Sequence, residues 1–102
     1  MLRIVVCNCS PAESGELARA LVKERLAACV NIIAGVKSIY TWEGAHHEDV
    51  EDTLIIKTSD ERYEEMERRL VELHSYDVPE VIALAPTDVL DAYAQWAHAQ
   101  IR

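Results

Sequence analysis

The fifteen residues ACVNIIAGVKSIYTW, from Ala28 to Trp42, constrain this chain more than any other stretch. They are rich in Val, Ile, Tyr and Trp and poor in helix signals, so they read as one long strand. At about 3.3 Å per residue such a strand spans on the order of 45–50 Å. A domain of about 100 residues has a radius of gyration of only about 13 Å. Ala34-Gly35 interrupts the run, and a glycine inside a strand pattern marks a bulge or bend. Glu43 to Asp49 (EGAHHED) is polar, contains Gly44, and reads as a hairpin connection. Glu51 to Thr58 (EDTLIIKT) is the second strand, antiparallel to the first. If both strands are continuous, the hairpin tip projects beyond its own core. Val36, Ile39, Tyr40 and Trp42, opposite a strand carrying Leu54, Ile55 and Ile56, would then leave an apolar patch and an open sheet edge in water. The expectation is an obligate homo-oligomer with strands paired between subunits. The competing reading is a monomer in which Ala34-Gly35 bends the chain back and leaves two short strands.

The flanking segments complete a plan. Arg3 to Cys7 is a short β-branched run and reads as a buried strand. Ser10-Pro11-Ala12-Glu13 fits a helix start, with Ser as N-cap, Pro in the first helical position and Glu in the third. Leu17, Ala18, Leu21, Val22 and Leu26 then recur at helical spacing. Ser59 or Asp60 caps a second helix whose apolar stripe is Tyr63, Met66, Leu70 and Leu73. Glu64–Arg68 and Glu65–Arg69 are favourably oriented pairs on its other faces. Pro79 closes any helical option for the residues before it. Val81 to Leu84 is a short strand, and Thr87 or Asp88 starts a last helix carrying Val89, Leu90, Tyr93, Trp96, Ala97 and Ile101. The order β-α-β-β-α-β plus a C-terminal helix is the ferredoxin-like α+β plan, one domain over residues 1–102 with a four-stranded antiparallel sheet and two helices on one face.

Composition removes several function classes. Ten Lys and Arg against eighteen Asp and Glu give a net charge of −8. That balance argues against a nucleic-acid partner, which needs a cationic footprint, and is compatible with cation binding. The opening MLRIVVCN is too short an apolar run for a signal peptide, and no segment approaches a membrane span. Three cysteines are an odd count; a disulfide framework is therefore not expected, and a reducing cytoplasm is. There is no G-x-S-x-G and no evident Cys–His pairing, so enzymatic activity is not expected.

Individual residues offer metal-binding chemistry. His74, in LHSYDVPEVIAL, has an imidazole to offer copper or zinc; equally, it suits a helix C-terminus, where it meets free carbonyls and the helix dipole. Tyr76, Pro79 and Glu80 shape the turn after it, and Glu80 adds a carboxylate. Cys7 and Cys9 form C-x-C, which on a strand puts both thiols on one side; they serve either as soft ligands or as small residues at a strand end. Cys29 reads as a buried apolar residue. His46-His47-Glu48-Asp49 offers nitrogen and oxygen donors, or simply a solvated turn.

The blocks ERLAACVNIIAGVKSIYTWEG, LIIKT and LHSYDVPEVIAL, followed by a Tyr and a Trp in the last helix, resemble the divalent-cation tolerance family, CutA, in order over nearly the whole chain. The resemblance implies a ferredoxin-like subunit, a tight homotrimer and an architecture similar to the PII signalling proteins. It also implies a role in metal-ion tolerance and the binding of divalent copper, with no established enzymatic activity and no metal required for folding. Some members have a cysteine near this N-terminus proposed as a metal ligand, and Cys7 and Cys9 are both open to that role. Asn31, Tyr40, Trp42 and Lys57 lie in the matching blocks; with Tyr76 and Glu80 they are candidates for a cleft between subunits where a small ligand binds, or for interface packing. The resemblance therefore leaves two functions in view: a metal-binding tolerance protein, and a PII-like signalling or scaffold trimer that binds a small ligand. The chain departs from the family pattern at Ala34, Ser75 and Ala85, where prolines are usual, while Gly35, His74 and Tyr76 are kept.

Overall fold

Alternation along the first strand decides where the core forms. In β1 (Leu2–Cys9) the side chains of Val5, Cys7 and Cys9 fall on one side and are fully buried. The computed structural model describes every residue, Met1–Arg102, and pairs β1 with β3 (Ala45–Ser59) so that Val5 faces Ile56 and Cys7 faces Leu54. Onto this face pack α1 (Ser14–Lys23), through Leu17 and Leu21, and α2 (Tyr63–Leu73), through Met66 and Leu70. Burying each large apolar side chain contributes about 1.5–3 kcal/mol, so this layer holds the subunit together. Thr58 is buried in the same face, and its hydroxyl donates to the Leu26 carbonyl at 2.6 Å.

With β2 (Cys29–Trp42) and β4 (Ile82–Leu84) the sheet has four strands in the order β2-β3-β1-β4, every neighbouring pair antiparallel. Two helices cover one face, which is the ferredoxin-like α+β arrangement. The last helix, α3 (Asp91–Gln100), lies at one end of the other face, where Ala97 and Ile101 meet Leu2 and Ala28. Much of that face has no cover. Ile82 and Leu84 sit opposite Val6 and Ile4, and Leu84 remains 53% exposed.

The long ribbon is continuous. The register of β2 on β3 slips between Ile33 and Val36, leaving Ala34 and Gly35 opposite Asp52 alone. Gly35 takes φ +73°, which its lack of a Cβ permits. Asp52 secures this bulge: one carboxylate oxygen accepts the Gly35 N–H at 3.3 Å and the other accepts the Ser14 hydroxyl at 2.6 Å. The bulge does not turn the chain back, so the reading with two short strands fails. The ribbon leaves the core, the molecule measures 45 × 26 × 22 Å, and Ile39 is 68% exposed on the projecting part.

Four boundaries differ from the sequence reading. The hairpin connection is not Glu43 to Asp49 but Glu43-Gly44 alone. Both have positive φ, 51° and 79°, which gives the tight turn whose twist matches the flanking strands. The first helix begins at Ser14 rather than Pro11. The Ser10 and Glu13 signature does form, with Ser10 Oγ accepting the Ala12 N–H and Glu13 accepting the Ser10 N–H, but it closes a turn ahead of the helix. Ser59 likewise accepts the Arg62 N–H at 3.2 Å, and α2 starts at Tyr63. The last helix starts at Asp91, not Thr87 or Asp88. Val89 turns inward against the Leu2–Ala97 cluster, and Leu90 is extended with ψ 127°.

Candidate functional site

The β2–β3 register places Ser38 opposite Asp49 and Tyr40 opposite His47. Partners across a ladder share a face, and Glu51 and Thr53 follow Asp49 on the same side of β3. Thr53 in turn faces Asn8 on β1, and its hydroxyl donates to Asn8 Oδ1 at 2.7 Å. Asn8, Glu51, Asp49, Ser38 and Tyr40 therefore lie on the side of the sheet away from α1 and α2. The loop after α2 comes round to meet them. Its Tyr76, Val78 and Glu80, with Trp42 and Ile39 of the ribbon, close a cleft of about 550 Å³.

His74 anchors that loop. Its backbone N–H donates to Leu70 and ends α2. Its Nε2–H donates to the Asn8 carbonyl at 2.9 Å, and its Nδ1 accepts the Tyr76 N–H at 3.1 Å. Both contacts hold only in the neutral Nε2–H tautomer. The side chain thus grips β1 instead of the helix carbonyls, and its ring packs 4.6 Å from that of Tyr76. Ser75 is tied down separately: its N–H and hydroxyl donate to Glu13 at 3.1 and 2.5 Å. Burial pushes the Glu13 carboxyl up. The Ser75 hydrogen bonds, with that of the Ser10 N–H, outweigh it and leave Glu13 below its usual range.

The cleft is electronegative. Asp49, Glu51 and Glu80 line it, and no Lys, Arg or His does. The Tyr76 hydroxyl donates to Glu51 at 2.7 Å, and the Tyr40 hydroxyl donates to Asp49. Burial, the hydrogen bond to Glu51 and the negative field of Glu51, Glu13 and Cys9 push the Tyr76 phenol far above its usual value. Tyr40 is raised in the same direction, first by its bond to Asp49. Both phenols are therefore fixed as donors at neutral pH.

The sequence candidates separate into three groups. The cleft expected between subunits is not what is seen here: Tyr40, Trp42, Tyr76 and Glu80 line a cleft within the single chain, and Asn31 and Lys57 lie outside it. Lys57 donates to Asn31 Oδ1 near Cys29 on the uncovered sheet face. Cys29 is half-buried there, 3.9 Å from the Lys57 ammonium, rather than enclosed as an apolar residue. The metal candidates are not gathered. Cys7 and Cys9 do share a side, but it is the helix-packed core, where burial first and neighbouring negative charge second push their thiols up to about 12 and about 11. With both ring nitrogens of His74 engaged, no lone pair on it is free for an ion. No group of three His, Cys, Asp or Glu side chains in the chain is arranged to hold a metal. His46 and His47 stand on β3, not in a turn; His47 stacks on Tyr40 at 5.3 Å and His46 Nδ1 meets the Thr41 hydroxyl at 3.2 Å.

Asn8, Ser38, Asp49 and Glu51 escaped the sequence reading as members of a cleft. Asp49 fell in a segment that looked like a loop, and Glu51 at the first residue of the strand after it. Had that strand been extended back to Ala45, the period of two would have placed both beside Tyr40.

Comparison with known proteins gives a consistent result. The family model described as "CutA1 divalent ion tolerance protein" matches residues 3–100. The chain is 48% identical over 85 residues to the chloroplastic protein CutA of Arabidopsis thaliana, covering 82% of this chain and 47% of that protein. It thus spans about half the length of that plant relative. The solved structure of the divalent cation tolerance protein Cut A1 from Thermus thermophilus superimposes with a TM-score of 0.95 at 38% identity, covering all of both chains. The PII-like protein CutA from Nostoc sp. PCC 7120 in apo form matches with a TM-score of 0.93 at 32% identity, over 98% of this chain and 97% of that one.

Proposed function

The chain belongs to the CutA1 divalent ion tolerance family, and from that membership we propose that it is a homotrimeric binding protein, not an enzyme, that takes up divalent metal ions, copper foremost, in the response to them. The uncovered sheet face and the projecting ribbon carry the assembly half of this reading. Ile39 on the ribbon, and Ile82 and Leu84 on the face, are exposed in the single subunit, and β2 and β4 are open sheet edges. Copies of the chain bury such surfaces and pair such edges. The ribbon also carries His46, His47 and Asp49, so assembly is the step that brings donors from different subunits to one ion. Three free cysteines suit a reducing compartment, and we assign the protein to the cytoplasm on that ground. No helix is long and apolar enough to cross a membrane.

Titration calorimetry with divalent copper tests the metal half. Saturable uptake with a fixed number of ions per three subunits supports it. Binding should weaken as pH falls through the histidine range near 6.5, because the ligand must be neutral. Absence of uptake by the assembled protein contradicts it. The cleft favours a second reading, a PII-like trimer that binds a small molecule, since it is concave and sets apolar side chains beside placed polar groups, as such ligands need.

A further inference from the structure

We infer that His74 is a pH-operated latch on the segment 75–81, closed while its imidazole is neutral and released when the ring takes up a proton. The residue is 8% exposed and joins the end of α2 to β1 and to the segment that follows. Its Nε2–H donates to the Asn8 carbonyl at 2.9 Å, and its Nδ1 accepts the Tyr76 N–H at 3.1 Å. The two nitrogens respond differently to protonation. Nε2–H remains a donor in the imidazolium, so the bond to β1 persists. Nδ1 gains a hydrogen and then opposes the Tyr76 N–H, donor against donor. The ring stays anchored while the segment loses its hold. All of these contacts lie within one chain, so the latch needs no second copy.

The surroundings accept a charge on the ring. Around the His74–Tyr76 pair stand Glu13 from the turn ahead of α1, Cys9 of β1, Glu51 of β3 and Glu80 of the segment itself. None of these four is a cation. Arg69 and Glu72, in the last turns of α2, face each other, and Arg69 also grips Glu24. Glu13 attracts a protonated His74, and its carboxyl, lowered from 4.5, stays ionised where imidazoles titrate. Protonation therefore exchanges the Tyr76 contact for the field of Glu13. The bond from the Tyr76 hydroxyl to Glu51, at 2.7 Å, depends on where the Tyr76 backbone is held. The segment then runs into β4, an edge strand of the sheet. Acid thus loosens Tyr76 and the approach to β4 and leaves the helix-packed core untouched.

Nitrogen-15 NMR of the assembled protein, labelled in its histidine rings and backbone amides, tests this between about pH 7.5 and about pH 5, a window that spans the ordinary imidazole range and stays above the carboxylate one. At the upper end the His74 ring should show the neutral Nε2–H tautomer. On acidification Nδ1 should protonate. With the same midpoint the Tyr76 amide should lose protection roughly tenfold, after correction for the intrinsic exchange rate, which is the loss of about one hydrogen bond. The far-ultraviolet circular dichroism should not change. His74→Asn offers a side-chain carbonyl to the N–H two residues on and cannot titrate; its Tyr76 protection should be flat across the window. The coincidence of midpoints in the parent decides the matter even where the variant does not fold. A ring still neutral at the lower end, or an Nδ1–H tautomer at the upper end, would overturn the latch. So would Tyr76 protection that persists while the ring protonates, an equal loss in His74→Asn, or a loss that comes with the helix signal and is therefore global.

Discussion

Replacing Asp52 by Ala should destabilise the fold by about 3–4 kcal/mol. The residue is 6% exposed, and its carboxylate joins two elements distant in sequence. Hydrogen bonds to a charged acceptor contribute about 1.5–3 kcal/mol each. The Ser14 hydroxyl at 2.6 Å belongs at the upper end of that range, and the Gly35 N–H at 3.3 Å at or below its lower end. Removing the acceptor leaves the Gly35 N–H to water and the buried Ser14 hydroxyl only the Pro11 carbonyl, at 3.3 Å. Total stabilities are about 5–15 kcal/mol, so the loss is a large fraction of the whole. Asp52→Asn keeps one oxygen and should cost about half as much. A cycle combining Asp52→Ala with Ser14→Ala should show a coupling of about 1–2 kcal/mol. Urea unfolding at fixed subunit concentration is the assay, because assembly makes stability concentration-dependent. A midpoint for Asp52→Ala within about 0.5 kcal/mol of the parent would refute the idea that this carboxylate holds the bulge.

Other outcomes follow from the same structure. Iodoacetamide at pH 8 should label Cys29 in the native protein and leave Cys7 and Cys9 unmodified, as read by mass spectrometry; equal labelling of all three would contradict their burial. Their folded-state thiols lie above the ordinary value of 9.0. The stability they contribute is therefore complete below pH 9.0 and is lost as pH rises towards about 11 and about 12, so the urea midpoint should fall across that window. Glu13 has the opposite sign: its carboxyl is lowered from 4.5, so its contribution is present above that pH and lost on acidification. Glu13→Gln should flatten the acid limb of the stability profile, and an unchanged limb would show that Ser75 gains nothing from the charge. Gly44→Ala should cost about 1–2 kcal/mol, purely conformational, because a Cβ there meets no atom within 4 Å but φ is +79°.

Strand and helix identity were legible because each rests on local sequence, residue type for the strands and spacing for the helices. The unbroken β-branched and apolar runs of β1 and β3 and the 3.6 pattern of Tyr63, Met66, Leu70 and Leu73 are written in consecutive residues. Length alone announced a ribbon too long for its core. Element ends were less legible, because they depend on long-range partners: Val89 packs against the Leu2–Ala97 cluster ahead of the last helix, and Ser10 and Ser59 cap turns instead of helices. The site was half legible. Tyr40, Trp42, Tyr76 and Glu80 stood out by type and block, but Glu51 is one acid among many until the register sets it beside Tyr76. His74 shows the converse. Its chemistry suggested a ligand, while its position, between the Asn8 carbonyl and the Tyr76 N–H, makes it the clasp of the loop.

The mass of the particle in solution bears most directly on the account. Multi-angle light scattering at micromolar concentration should give three times the chain mass of 11.5 kDa. Leu84→Glu, which puts a charge on the uncovered sheet face without touching the helix-packed core, should shift that mass towards the single chain while the circular dichroism spectrum stays native. A parent protein that runs at 11.5 kDa, folded and soluble with its ribbon unshared, would contradict the claim that copies of the chain cover one another.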